Sequence, residues 1–169
     1  LYQENPGYGS ALIEGINSAE TDYFSIINAD GSMNPNELGP MLEMIEKQNY
    51  DIVFGSRYMK LAGSDDDDFI TLVGNYIFSY IGKIFFRLKI SDILYTYVIG
   101  KTKLVRDLSI KSSDFKFCIE LPIKAHRSNL NYCSFPSYER KRIGGKKKVN
   151  PFLDGFKILL GMIYFFFKK

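Results

Sequence analysis

The stretch Tyr23-Phe24-Ser25-Ile26-Ile27-Asn28-Ala29-Asp30-Gly31-Ser32 decides the fold class. Its first half is a short apolar run of strand length. Its second half sets a carboxylate where the strand stops, followed by a glycine that permits a tight turn. Ligands of open α/β sheets bind outside the carboxyl ends of the strands, so Asp30 is a candidate for a metal or phosphate site. An Asp-Gly pair alone is an ordinary turn, and the flanks give this one its weight. Upstream, Leu12, Ile13, Ile16 and Ala19 recur at helical spacing over residues 9–19, with Ser10 as a candidate cap. Downstream, Asn34-Pro35-Asn36-Glu37 combines a capping residue, a proline at the first helical position and a glutamate three residues past the cap. Leu38, Met41, Leu42 and Ile45 then form one apolar face, and residues 51–55 read as the next buried strand. The order helix, strand, helix, strand predicts parallel pairing of the two strands.

Further along, four consecutive aspartates, Asp65, Asp66, Asp67 and Asp68, repel one another and predict a mobile surface loop without a metal. Residues 69–88 form a twenty-residue apolar segment interrupted by Asn75, Lys83 and Arg87. Basic and polar positions weaken a bilayer-spanning reading, and an amphipathic helix lying partly on a membrane and partly on the domain fits better. Residues 91–99 read as a strand, 101–108 as a short helix, 115–127 as a helix despite Pro122, and 130–135 as a further strand. Residues 151–167 predict a last apolar helix of roughly 25 Å, whose Phe165-Phe166-Phe167 run beside Lys168-Lys169 favours a membrane interface.

A chain of 169 residues, 46% hydrophobic, can bury one sizeable core. Cys118 and Cys133 stand fifteen positions apart with no His or Cys at ligand spacing, which argues against zinc and against a disulfide scaffold. They read as buried thiols, and the lone histidine, His126, as structural. Of the net charge of +3, residues 137–149 carry +5 through Arg140, Lys141, Arg142, Lys146, Lys147, Lys148 and Glu139, leaving −2 on the remainder. Such local basicity points to a specific anionic partner.

Taken in order, Asn5-Pro6-Gly7-Tyr8-Gly9-Ser10-Ala11, Asn28-Ala29-Asp30-Gly31, Gly55-Ser56-Arg57, Ser91-Asp92, Glu120 and Arg142-Ile143-Gly144-Gly145-Lys146-Lys147-Lys148 resemble the family 2 glycosyltransferases of GT-A fold, specifically the dolichol- or polyprenyl-phosphate sugar transferases. The resemblance implies an α/β fold: a Rossmann-like GT-A sheet flanked by helices, incomplete at the N-terminus, with apolar membrane-associating helices. Residues 1–149 correspond to the C-terminal part of a catalytic domain, residues 69–88 to an interfacial helix and residues 150–169 to an apolar C-terminal interfacial helix. The earlier βαβ half that binds the nucleotide base has no counterpart here, and the chain opens on Leu1, so a fragment inactive on its own is expected.

By the same resemblance, the reaction is inverting transfer of a sugar from a nucleotide-diphosphate sugar to a polyprenyl phosphate, on the cytoplasmic face of a membrane. Asp30 and Asn28 would hold a divalent metal, Mg2+ or Mn2+; the family's Asp-x-Asp stands here as Asn28-Ala29-Asp30, with an amide for the first carboxylate. Asp30 and Asp92 are the expected catalytic acids, Asp92 orienting sugar or acceptor. Arg57, Arg140, Arg142 and Lys148 are the expected phosphate clamps. Tyr95-Thr96-Tyr97-Val98 and Lys147 depart from the common pattern. Glu120, a single acid in an apolar helix, is expected to satisfy a buried polar group. Two other classes fit parts of the sequence. A non-catalytic membrane-associated relative with a weakened metal site is one. A phosphate- or nucleic-acid-binding module on residues 140–148 is the other, but no reading helix, zinc site or aromatic sheet motif accompanies it, so no nucleic-acid partner is expected.

Overall fold

The computed structural model describes residues 5–144 and 150–168. Helix α1 (Tyr8–Ser18) leads into strand β1 (Tyr23–Ile26). A 3-10 turn (Pro35–Glu37) runs into α2 (Leu38–Gln48), followed by β2 (Ile52–Ser56), the short β3 (Gly63–Ser64) and α3 (Phe69–Phe85). Then come β4 (Val98–Lys101), α4 (Thr102–Asp107), α5 (Phe117–Arg127), β5 (Tyr132–Pro136), β6 (Tyr138–Glu139) and α6 (Pro151–Phe167).

The main sheet is mixed, in the order β1-β4-β2-β5. Here the expected pairing is corrected: β1 and β2 point the same way but do not touch, because β4 lies between them and is antiparallel to both, with Ile99 opposite Ser25 and Val53. The parallel ladder is β2 with β5. Strand alternation divides the core into two layers. Ile52, Phe54 and Val98 face Ile16 of α1, the α5 residues Phe117, Ile119 and Ile123, and Met162 of α6. Val53 and Ile99 face Met41 and Ile45 of α2 together with Met33, Tyr95 and Tyr97.

Several local expectations are refined. The strand expected over residues 91–99 begins only at Val98. Its upstream half is buried, but its backbone bonds to side chains: Ser91 N–H donates to Ser134 Oγ at 3.1 Å and Ile93 N–H to Ser79 Oγ at 3.1 Å. Burial there is achieved without a ladder, which an apolar run cannot reveal. Gly7, not Ser10, precedes α1; its φ of 142° and the Ser113 carbonyl 2.2 Å from where a Cβ would sit leave room only for glycine. Asn34 caps the next helix start by accepting from Asn36 N–H, but Glu37 turns away from the cap, accepting from Ser137 Oγ at 2.5 Å and Tyr138 N–H at 3.3 Å.

The acidic run departs furthest from its expected mobility. Asp65 accepts from Tyr138 Oη at 2.7 Å, Asp66 takes the Arg142 fork at 2.6 and 3.1 Å, Asp67 accepts from Arg57 at 3.1 Å, and Asp68 caps α3 through Thr71 N–H at 2.8 Å. Four like charges pack together here because each faces a different partner.

Two expectations hold closely. Tyr132 Oη lies 2.8 Å from His126 Nδ1, a structural pairing, and Cys118 is a buried thiol that burial pushes up to about 12, whereas Cys133, expected to be buried as well, is only half-buried. Glu120 accepts from Lys111 N–H and Ser112 N–H and pairs with Lys124 at 2.8 Å. Burial opposes its charge, but Lys124 and these N–H groups outweigh it and hold the carboxyl below its ordinary value. Its stabilising contribution is therefore complete above the ordinary glutamate pKa of about 4.3 and is lost as pH falls through the lower folded value. Glu120→Gln should destabilise by about 1–3 kcal/mol at neutral pH. Urea melts should show the gap from wild type closing as pH drops below that range; a pH-independent gap contradicts the account.

Candidate active site

Asp30 ends the β1 segment on a turn. Gly31 takes φ 79°, and Ser32 N–H donates to Asp30 Oδ1 at 3.0 Å. The chain beyond β6 runs alongside: Arg140 N–H donates to the Ser32 carbonyl at 2.9 Å and Ile143 N–H to the Asp30 carbonyl at 2.8 Å. Ile143 Cδ1 lies so close over Gly31 that an added Cβ would stand 2.7 Å from it. This second segment brings Arg142 Nη1 to 3.7 Å from Asp30 Oδ2 while its fork holds Asp66.

A cavity of about 440 Å³ opens beside this turn. It is lined by Asn28, Asp30 and Arg142, by Tyr8 and Thr96, and by Asn75 of α3 with Asp154 and Ile158 of α6. The Tyr8 and Thr96 hydroxyls are 2.6 Å apart. Carboxylates dominate the lining: Asp30, Asp66, Asp67, Glu139 and Asp154 outnumber Arg57 and Arg142. Such a wall favours a cation and disfavours an uncompensated anion.

The donor set meets the requirements of a hard divalent ion. Asp30 offers Oδ2, and the Asn28 side-chain amide has no hydrogen-bond partner among the described residues. One carboxylate and one amide oxygen suit an ion that keeps several waters and is completed by substrate phosphates. No group of three or more His, Cys, Asp or Glu residues among the described residues forms a closed cage.

Arg57 and Asp92 are brought to each other, Arg57 lining the cavity and Asp92 standing behind it. Arg57 Nε and Nη2 fork onto Asp92 at 2.7 and 3.1 Å, and Nη1 reaches Asp67 and Glu139 at 3.1 Å each. The Asp92 side chain is fully buried. Burial works against the Arg57 charge, but Asp92 and then Glu139 overcome it and keep the guanidinium well above its ordinary value. Asp92 therefore meets the cavity only through Arg57. Arg140 is exposed, donating to the Met33 carbonyl at 3.3 Å, and is not part of the wall. Lys148, with Lys146 and Lys147, lies outside the described residues. Sequence reading missed Tyr8, Asn75, Thr96, Glu139 and Asp154 as site residues; they come from five separate segments and meet only in the fold.

In comparison with known proteins, the chain is 29% identical over 155 residues to uncharacterized glycosyltransferases of Mycobacterium bovis and Mycobacterium tuberculosis, covering 92% of this chain and 69% of theirs. Its fold is similar to that of glucosyl-3-phosphoglycerate synthase from Mycobacterium tuberculosis, solved in complex with Mn2+, uridine diphosphate and phosphoglyceric acid, with a TM-score of 0.64 at 12% identity. The same enzyme with Mn2+, UDP-glucose and glycerol 3-phosphate gives a TM-score of 0.63 at 12% identity. The chain covers 96% and 95% of itself in these matches and spans 55% of those solved chains. The sequence pattern described as Glycosyl transferase family 2 matches residues 1–109, well over half of the chain, which therefore belongs to that family.

Proposed function

We propose that this chain forms part of a glycosyltransferase that moves a sugar from a nucleotide-diphosphate donor to a polyprenyl phosphate at the cytoplasmic face of a membrane. The observation that carries the lipid acceptor is the position of α3 and α6. Both contribute to the cavity wall beside Asp30, and both turn apolar faces outward. On α3 the buried stripe is Asn75, Ser79 and Gly82, while Phe69, Ile77, Tyr80 and Phe85 are exposed. On α6, Phe152, Leu153, Phe156 and Phe167 are exposed. On α3, apolar residues outside with small and polar ones inside invert the pattern of a helix facing water, while α6 is apolar on both its buried and its exposed face. No helix among the described residues is long and apolar enough to cross a membrane. The amphipathic pair instead suits a shallow seat, from which a lipid-borne phosphate reaches the cavity.

In this reading Asp30 and Asn28 hold Mg2+ or Mn2+, which would supply the charge that neutralises the leaving diphosphate. Arg142, with Arg140 and Lys148, meets phosphate oxygens; Arg142 already lies between two carboxylates and needs only to exchange one anion for another. Arg57 and Asp92 hold the floor against which the sugar is oriented. The acceptor phosphate is largely ionised at neutral pH, so positioning, not a strong general base, sets the rate.

The test uses full-length protein, labelled nucleotide sugar and Mn2+, with polyprenyl phosphate or 3-phosphoglycerate as acceptor. Label should enter the organic phase with the lipid; transfer to phosphoglycerate alone overturns the lipid reading. Replacing Ile77, Tyr80, Phe152 and Phe156 together with Ser should weaken vesicle binding at least about tenfold at any salt and raise the apparent KM for polyprenyl phosphate. Phe165 is excluded from the set because it is buried in the core. Unchanged vesicle binding would remove these faces from the membrane.

A further inference from the structure

A second hollow, of about 640 Å³, lies between the segment after α4, helix α5 and the last turn of α6. Along α6 the lining residues of the two cavities that come nearest, Ile158 and Tyr164, are six residues apart, roughly 9 Å. Lys111, Lys116, Lys124, Arg127 and Lys168 converge on it, against a single lining carboxylate, Glu120. We propose that it is an anion site that takes a phosphate group, carried either by a lipid headgroup or by a small soluble ester.

The cations differ in how far their charge is already answered. Lys124 is held by Glu120 at 2.8 Å and the Ser109 carbonyl at 2.6 Å, and Lys116 lies 3.5 Å from Asp114. Arg127 donates to the carbonyls of Phe165 and Lys168, which fixes its guanidinium at the end of α6 with no carboxylate partner among the described residues. Lys168 contacts the Tyr164 ring and hydroxyl, again with no carboxylate, and the Lys111 ammonium has no partner among the described residues. Three positive charges are thus left facing one concave space. A lone carboxylate would answer one of them, whereas a phosphate monoester brings about −1.5 to −2. A fully solvated basic face spreads its charges over a convex surface, and this one gathers them around a hollow with Leu108 and Phe165 in its wall.

The test uses full-length protein in two arms. One titrates glycerol 3-phosphate calorimetrically with no bilayer present; the other sediments protein with phosphatidylcholine vesicles with and without phosphatidic acid. Lys111→Glu with Lys168→Glu should weaken phosphate-dependent binding about tenfold or more. Lys60→Glu with Lys103→Glu, which makes the same change in net charge elsewhere on the exposed surface, should leave it near wild type. Loss in the vesicle arm alone assigns a lipid headgroup, loss in the calorimetric arm alone assigns a soluble ester, and loss in both supports the shared phosphate chemistry. If the two charge-reversed pairs behave alike in both arms, through equal loss or absence of binding, the proposal falls. This is separable from the membrane reading, which the apolar variants of α3 and α6 test on their own.

Discussion

Asp30→Asn should reduce metal-dependent sugar transfer by the full-length enzyme by about three orders of magnitude, the equivalent of several kcal/mol of charge stabilisation at the leaving group. The amide keeps an oxygen for Ser32 N–H, so the turn survives and the variant isolates the charge from the fold. Asp30→Ala should lose as much activity and in addition the turn bond, about 1 kcal/mol, visible as a fall in Tm of a few degrees. Asn28→Asp should move the other way and tighten Mn2+ binding, because a second carboxylate strengthens a hard-ion site. Mn2+ titration followed by electron paramagnetic resonance reads affinity independently of turnover. Metal-dependent transfer retained by Asp30→Asn would remove Asp30 from the site.

What the sequence revealed of this site follows from how far each residue's meaning depends on its neighbours in the chain. Asp30 was legible because a strand end, a turn glycine and a capped helix all lie within a few residues of it. That β1 and β2 run the same way was legible for the same reason, but the antiparallel insertion of β4 between them was not, since it depends on a crossover through α3 and the buried segment before Val98. Arg57 and the aspartate run were each read alone, one as a free clamp and the other as a repelling loop. Apart from Asp68, which caps its own helix three residues on, the charged partners of Arg57 and of the run stand 10 to 82 positions away, and only the fold unites them. The apolar character of α3 and α6 was plain; that small and polar residues form the buried stripe of α3 needed the packing of the two helices.

That union of Arg57 with the acids yields the largest expected effect on stability. The side chains of Asp92, Asp67 and Glu139 are 0%, 6% and 9% exposed, and all three take hydrogen bonds from the one guanidinium. Removing it takes the counter-charge from three carboxylates, of which Asp92 lies wholly away from the cavity lining. Arg57→Met should therefore cost about 3–5 kcal/mol, the loss typical of breaking a buried pair from one side, and lower Tm by about 10 °C. Arg57→Lys should fall between, because an ammonium keeps the charge but cannot fork onto Asp92 while reaching Asp67 and Glu139. Asp92→Asn placed in the Arg57→Met background should recover part of the loss, since it removes one stranded charge, and the double-mutant cycle should show coupling above about 1 kcal/mol. If the two substitutions are merely additive in thermal and urea melts, the Arg57–Asp92 fork is not what couples this cluster.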